Sequence, residues 1–155
     1  MHPALLDPKE SRIGILICGH GSRYETAVKE FSILAKKIKL RLPGIPVEYG
    51  YLEFARPIIP EALDRLRAKS VSKVIAIPAM LFAAGHTKND IPALLNSYSK
   101  KTGLVIEYGR ELGINNLMIG AAGARIKEAI ESNSDFPLEE TLLVVVGRGS
   151  SDPDA

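Results

Sequence analysis

A single cysteine, Cys18, is present among 155 residues. One thiol cannot form an intramolecular disulfide, and it cannot build a cysteine cage for zinc. It fits a reducing compartment. Charge of either sign is not in excess: 20 basic and 18 acidic residues leave a formal net charge of +2. Binding to nucleic acid driven by bulk charge is therefore not indicated. No run of ~18 apolar residues exists to span a membrane. The early residues Asp7, Lys9, Glu10 and Arg12 interrupt any apolar segment a signal peptide would need. The expected location is cytoplasmic. Histidine is also scarce, with only His2, His20 and His86. What remains is an ordinary globular composition, 46% hydrophobic and 25% charged, of a length suited to one domain.

Short apolar runs alternate with segments of helical spacing. Ile13–Cys18, Val47–Leu52, Val74–Pro78, Leu104–Tyr108 and Leu142–Val146 read as strands, the third extending toward Leu81. Between them, Tyr24–Arg41 carries Val28, Phe31, Leu34 and Ile38 at helical intervals and stops at Pro43-Gly44. Ile58–Ala68 presents Ile59, Ala62, Leu63 and Leu66 on one side, with Pro57 suited to its start. A helix over Ile91–Ser99 opens near Asp90-Ile91-Pro92, and one over Asn115–Glu131 carries Leu117, Ile119, Ala122 and Ile126. This alternation predicts an α/β fold, a three-layer doubly wound parallel sheet of flavodoxin-like topology. Ligands of such sheets lie beyond the carboxyl ends of the strands. The loops 19–23, 52–57 and 82–90 are thereby marked before any motif is read.

The domain organisation expected is a polar lead-in over 1–11, one lobe over 12–141, and the start of a second, truncated lobe over 142–155. Gly147-Arg148-Gly149-Ser150, after its apolar run, mirrors Gly19-His20-Gly21-Ser22, an offset of 128 residues from Gly19 to Gly147. Arg148 stands where the first copy has a histidine. Apolar strands followed by glycine also recur by chance in α/β proteins.

Both His20 and His86 fall in the marked loops, each preceded by glycine. Glycine lets the backbone turn tightly there and leaves room for a large ligand. A lone histidine is more often structural, but two on one sheet edge point jointly to a site. Neutral imidazole is a common ligand for divalent metals and a base near neutral pH. Glu53 ends the second strand on the same edge. His20 to Glu53 and Glu53 to His86 are both 33 residues, one β-α unit each. A bland alternative keeps Glu53 as a rim carboxylate paired with Arg56. Tyr51 and Phe82 are either an apolar wall or core, and Cys18 is a small core residue inside its strand.

Gly19-His20-Gly21-Ser22-Arg23, Glu53-Phe54-Ala55-Arg56-Pro57 and Gly85-His86-Thr87-Lys88-Asn89-Asp90-Ile91-Pro92 together resemble the class II chelatases of the CbiX/SirB group, over roughly residues 12–150. The resemblance implies a chelatase-like fold and insertion of a divalent metal into a sirohydrochlorin-type tetrapyrrole. Cobalt is the first expectation, with iron or nickel as alternatives, and cobalamin or sirohaem as the end of the pathway. The metal is a substrate, and no organic cofactor is needed. The resemblance implies His20, His86 and Glu53 as metal-site residues. Both imidazoles would be ligands and potential proton acceptors, and Glu53 a ligand or a proton acceptor. A carboxylate-rich substrate needs cations and donors, for which Ser22, Arg23, Arg56 and Lys88 are the candidates. Family members occur as homodimers of short chains and as long two-lobed chains, so a homodimer or a second lobe is expected to complete the cleft. Two other classes compete. One is a metal-binding or metal-delivery domain without catalysis. The other is a phosphate-handling enzyme acting through a histidine, which would want more arginines around His20 than Arg23 alone.

Overall fold

The structure is a computed structural model and describes residues 12–82, 85–132 and 137–147, the side chains of His86 and Leu138 excepted. The lead-in over 1–11 and the repeat positions 148–155, Arg148 among them, lie outside the described residues. In chain order the elements are β1 (Ile13–Gly19), α1 (Glu25–Arg41), β2 (Val47–Tyr51), α2 (Ile59–Ala68), β3 (Lys73–Pro78), a turn of π-helix (His86–Asp90) leading into α3 (Ile91–Thr102), β4 (Val105–Tyr108) and α4 (Asn116–Glu131). The four strands form one parallel sheet in the order β2-β1-β3-β4. This is the doubly wound arrangement expected from the alternation, and its strand order reverses direction between β1 and β3.

β1 is apolar on both sides because both are covered. Its Leu16 and Cys18 join Ile59, Ala62, Leu63, Leu66, Val74, Ile91 and Leu95 in the core beneath α2 and α3. Its Ile15 and Ile17 face the other way, with Ala35 of α1 and Val47. A parallel strand enclosed by helices reads as a continuous apolar run rather than an alternating one. The expected stripe of α2 is confirmed in full, since Ile59, Ala62, Leu63 and Leu66 are all buried. Gly50 makes this seat possible: a β-carbon there would stand 2.7 Å from the Ile59 Cα. The start of α2 differs from expectation. Pro57 precedes it in a cis peptide with Arg56, and the proline inside the first turn is Pro60. The amide of Ile58 donates to the Glu61 carboxylate at 3.1 Å, which closes the helix N-terminus.

One expected strand is corrected. Leu142–Val146 does not form a fifth strand; residues 141–147 have no regular structure, and Leu142 and Val146 are 84% and 87% exposed. An apolar run becomes a strand only by pairing with a neighbour, and among the described residues it pairs with none. The helix at 116–131 forms, with Asn115 accepting from the amides of Leu117 and Met118, yet none of its residues is buried. Helical spacing specifies a helix and an apolar side, and it does not supply the surface that side needs. On the α1 side of the sheet, Ile77 and Val105 are likewise open to solvent. No described helix is long and apolar enough to cross a membrane.

Candidate metal and substrate site

β1 and β2 run side by side, with Gly19 opposite Tyr51, so the loops after them leave the sheet together. Two backbone bonds extend the pairing past the strands: Leu52 N–H donates to the Gly19 carbonyl at 2.9 Å, and Glu53 N–H to the His20 carbonyl at 3.0 Å. Gly21 then turns with φ of +98°. A β-carbon on it would stand 1.7 Å from the Glu53 carbonyl oxygen. Only glycine permits that approach.

This backbone brings two side chains of the expected set into contact. His20 Nε2 lies 3.2 Å from Glu53 Oε1, with both groups about two-fifths exposed. The other ring nitrogen, Nδ1, lies 3.1 Å from the Gly21 carbonyl oxygen. A carbonyl only accepts, so Nδ1 carries the hydrogen in that contact. Nε2 then faces the carboxylate, an arrangement stabilised by a proton on Nε2 or by a cation held between the two groups. The pairing of Glu53 with Arg56 is not found. Arg56 forms its ion pair with Glu61 instead.

His86 opens the π-helical turn that follows β3, the strand on the other side of β1. Its side chain lies outside the described residues. The backbone of this turn is anchored from beneath. Thr87 is buried, its hydroxyl contacts Met80 Sδ at 2.9 Å, and the Tyr108 hydroxyl donates to the Thr87 carbonyl at 3.0 Å. Burial, followed by the nearby Cys18 and Glu111, pushes the Tyr108 hydroxyl up to about 12, so it remains a donor. Among the described residues no group of three or more His, Cys, Asp and Glu side chains gathers to hold a metal; the described part of the site is the His20–Glu53 pair.

The remaining candidates divide. Ser22 and Arg23 stand at the mouth beside the pair. The Ser22 hydroxyl already accepts from the Tyr24 amide at 3.1 Å. Arg23 lies over the Phe54 ring, 4.7 Å from its centroid. A cleft of about 500 Å³ is bordered by Ser22, Arg23, Lys29, Ser32, Phe54 and Arg56. A smaller cavity of about 230 Å³ adjoins His20 and is lined by Phe31, Tyr51, Ala79 and Met80. Lys88 is exposed on the π-helical turn. Tyr51 is core, 2% exposed, with its hydroxyl donating to the Val28 carbonyl. Phe82 is 44% exposed. Cys18 is fully buried, and burial pushes its thiol up to about 12, consistent with a packing role.

Phe54 was not among the expected site residues. It adopts a left-handed backbone, φ 62°, a conformation that costs a bulky residue about 1–3 kcal/mol. Its ring is half exposed and lies 5.8 Å from the His20 ring. Its place immediately after Glu53 was the available signal, but backbone handedness is not written in residue type.

Comparison with known proteins identifies the family and the fold. A family described as CbiX matches residues 14–129. A sirohydrochlorin cobaltochelatase of Priestia megaterium is 37% identical over 142 residues, 91% of this chain and 46% of that protein. A sirohydrochlorin ferrochelatase of Bacillus subtilis (strain 168) is 32% identical over 142 residues, 90% of this chain and 52% of that protein. The chain thus spans about half the length of the curated relatives it matches. Among solved structures, SirB from Bacillus subtilis with Fe3+ superimposes with a TM-score of 0.79 at 30% identity, covering 92% of this chain and 55% of that one. A putative cobalamin biosynthesis CbiX protein from Marinobacter aquaeolei VT8 shares the fold, with a TM-score of 0.67 at 23% identity over 77% of this chain and 98% of its own. By its motif loops, its sheet and this family match, the chain belongs to the CbiX family.

Proposed function

We propose that this chain is a metal-binding lobe of a sirohydrochlorin chelatase, a lyase acting in cobalamin or sirohaem biosynthesis. The observation that carries the reading is the 3.2 Å contact between His20 Nε2 and Glu53 Oε1 at the carboxyl edge of the sheet. An imidazole and a carboxylate facing one another favour a cation between them and disfavour a phosphoryl anion. Nitrogen and oxygen donors suit Co(II), Fe(II) or Ni(II). The names of the relatives support cobalt first and iron second.

Insertion exchanges two pyrrole N–H protons for one divalent cation. The protein must hold the metal with an incomplete shell, so that macrocycle nitrogens take the open positions. In this reading His20 and His86 bind the metal and accept protons as it leaves them. Glu53 serves as a ligand or as a proton acceptor. Ser22, Arg23, Arg56 and Lys88 meet the substrate carboxylates, with Arg56 needing to exchange its Glu61 partner to do so. The exposed α4 and residues 142–147 support a complete form with a second lobe or a second copy of the chain, which would close the cleft. In the two-lobed reading, which rests on the repeat of Gly19–Ser22 at Gly147–Ser150, the residues from 142 onward belong to the second lobe; the compartment is the cytoplasm.

The test is the absorbance change of sirohydrochlorin on adding Co(II), Fe(II) or Ni(II) to the chain. Insertion that is lost in His20→Ala and in His86→Ala, with unaltered folding by circular dichroism, supports the reading. Co(II) binding without any absorbance change would make this a metal-delivery domain, and wild-type insertion by His20→Ala would remove the site.

A further inference from the structure

We propose that Phe54 is a positioning residue that holds the Arg23 guanidinium at the rim of the site to receive a carboxylate of the substrate; the inference rests on the chelatase reading for the identity of that substrate. Three observations converge on Phe54. Its backbone is left-handed, which a phenylalanine adopts only where the surrounding structure imposes it. The imposition is visible: the Glu53 amide and carbonyl are both engaged, by the His20 carbonyl and by the Ala55 amide at 2.8 Å. The turn delivers a large aromatic ring, half exposed, to the mouth rather than to the core. The ring is near two site groups, 5.8 Å from the His20 ring and 4.7 Å from the Arg23 guanidinium carbon.

A guanidinium lying on an aromatic face keeps its N–H groups directed outward in the plane of the fork, where they match a carboxylate. Arginine is long and flexible, and ordering it upon binding weakens the complex. A side chain already seated on a ring has lost much of that freedom beforehand. The adjoining cleft adds Lys29 and the Ser22 and Ser32 hydroxyls, with Glu25 the opposing charge on its wall. Arg23 borders this cleft and stands on the Phe54 ring that neighbours His20, which places it to take a carboxylate of a macrocycle held at His20 and Glu53.

The experiment is a fluorescence titration of metal-free sirohydrochlorin into the chain, so that its readout does not depend on metal insertion. Phe54→Ala weakens binding about fivefold, the scale of a partly exposed cation–π contact. Phe54→Leu, which restores apolar bulk without a ring face, weakens it as much, and Phe54→Tyr restores it. Arg23→Ala weakens binding at least as far, and the double variant is no weaker than Arg23→Ala alone. Co(II) binding by calorimetry stays unchanged in all Phe54 variants. Wild-type binding by Phe54→Leu, or additive losses in the double variant, would overturn the positioning role. Failure of the unaltered chain to bind the metal-free ring would overturn this role together with the substrate assignment. Loss of Co(II) binding in the Phe54 variants would overturn the positioning role, since it would show that the ring supports the metal site itself.

Discussion

The amide of Glu53 donates to the carbonyl of His20 at 3.0 Å, while the Glu53 carboxylate reaches the His20 imidazole at 3.2 Å. The two residues are tied at the backbone and meet again at their tips. Their separation is therefore set by main-chain geometry rather than by two flexible side chains finding one another. Gly21 lies beneath this tie.

Gly21→Ala would place a methyl group 1.7 Å from the Glu53 carbonyl oxygen, at a φ of +98° that alanine rarely adopts. The loops must part to admit it. We expect a loss of about 2 kcal/mol or more in stability, read from the midpoint of urea unfolding. Co(II) affinity measured by calorimetry on the folded variant falls with it. Unchanged values of both would mean that the tie is soft.

The two apolar surfaces of the chain should respond differently to truncation. Leu66 is fully buried against Val71 and the backbone of Gly14, so Leu66→Ala costs about 2–5 kcal/mol. Leu117 on α4 is 86% exposed, so Leu117→Ala costs less than about 0.5 kcal/mol in the monomeric chain. Chemical denaturation at low protein concentration measures both. A large effect at Leu117 would reveal a partner surface formed in solution.

Cys18 supplies a pH dependence whose sign is fixed. Burial raises its thiol from 9.0 to about 12. Below pH 9 both folded and unfolded thiols are protonated, and the stabilising difference is fully present. From pH 9 to about 12 the unfolded thiol ionises while the buried one does not, so stability declines by up to ~1.4 kcal/mol per pH unit. Tyr108, also raised to about 12, contributes in the upper part of that window. Urea unfolding at pH 8.0 and 10.5 measures the decline, and Cys18→Ala should flatten it in part. At pH 8 the native thiol should resist a disulfide reagent that labels the unfolded chain at once.

Much of this arrangement was legible from residue order. The runs around Leu16, Val47 and Val74 are apolar because helices cover both faces, and such runs announce themselves. That His20 and Glu53 share one edge of the sheet followed from their places after the first two strands. The failures share a cause. Leu142–Val146 has a strand's composition, but pairing depends on a surface that local sequence does not encode; α4 forms as its spacing predicts, and the same limit leaves its exposure unannounced. Phe54 escaped notice because a left-handed turn at a phenylalanine is imposed by neighbours distant in sequence. Arg56 had two carboxylates within its local sequence, and only the fold separates Glu53, turned to His20, from Glu61, turned to the helix start.

The connection from β2 to α2 is fastened at several points. Leu52 and Glu53 are bonded to the preceding loop, the Tyr51 amide takes the Pro57 carbonyl at 2.8 Å, and Ile58 bridges back to Tyr51. An extra residue inserted here would have to break one of these clasps, and a deletion would drag α2 off Gly50. Chain length is thus closed to variation between Leu52 and Ile58. Variation of this rim is left to exchange of side chains on a fixed frame, at Phe54, Ala55 and Arg56.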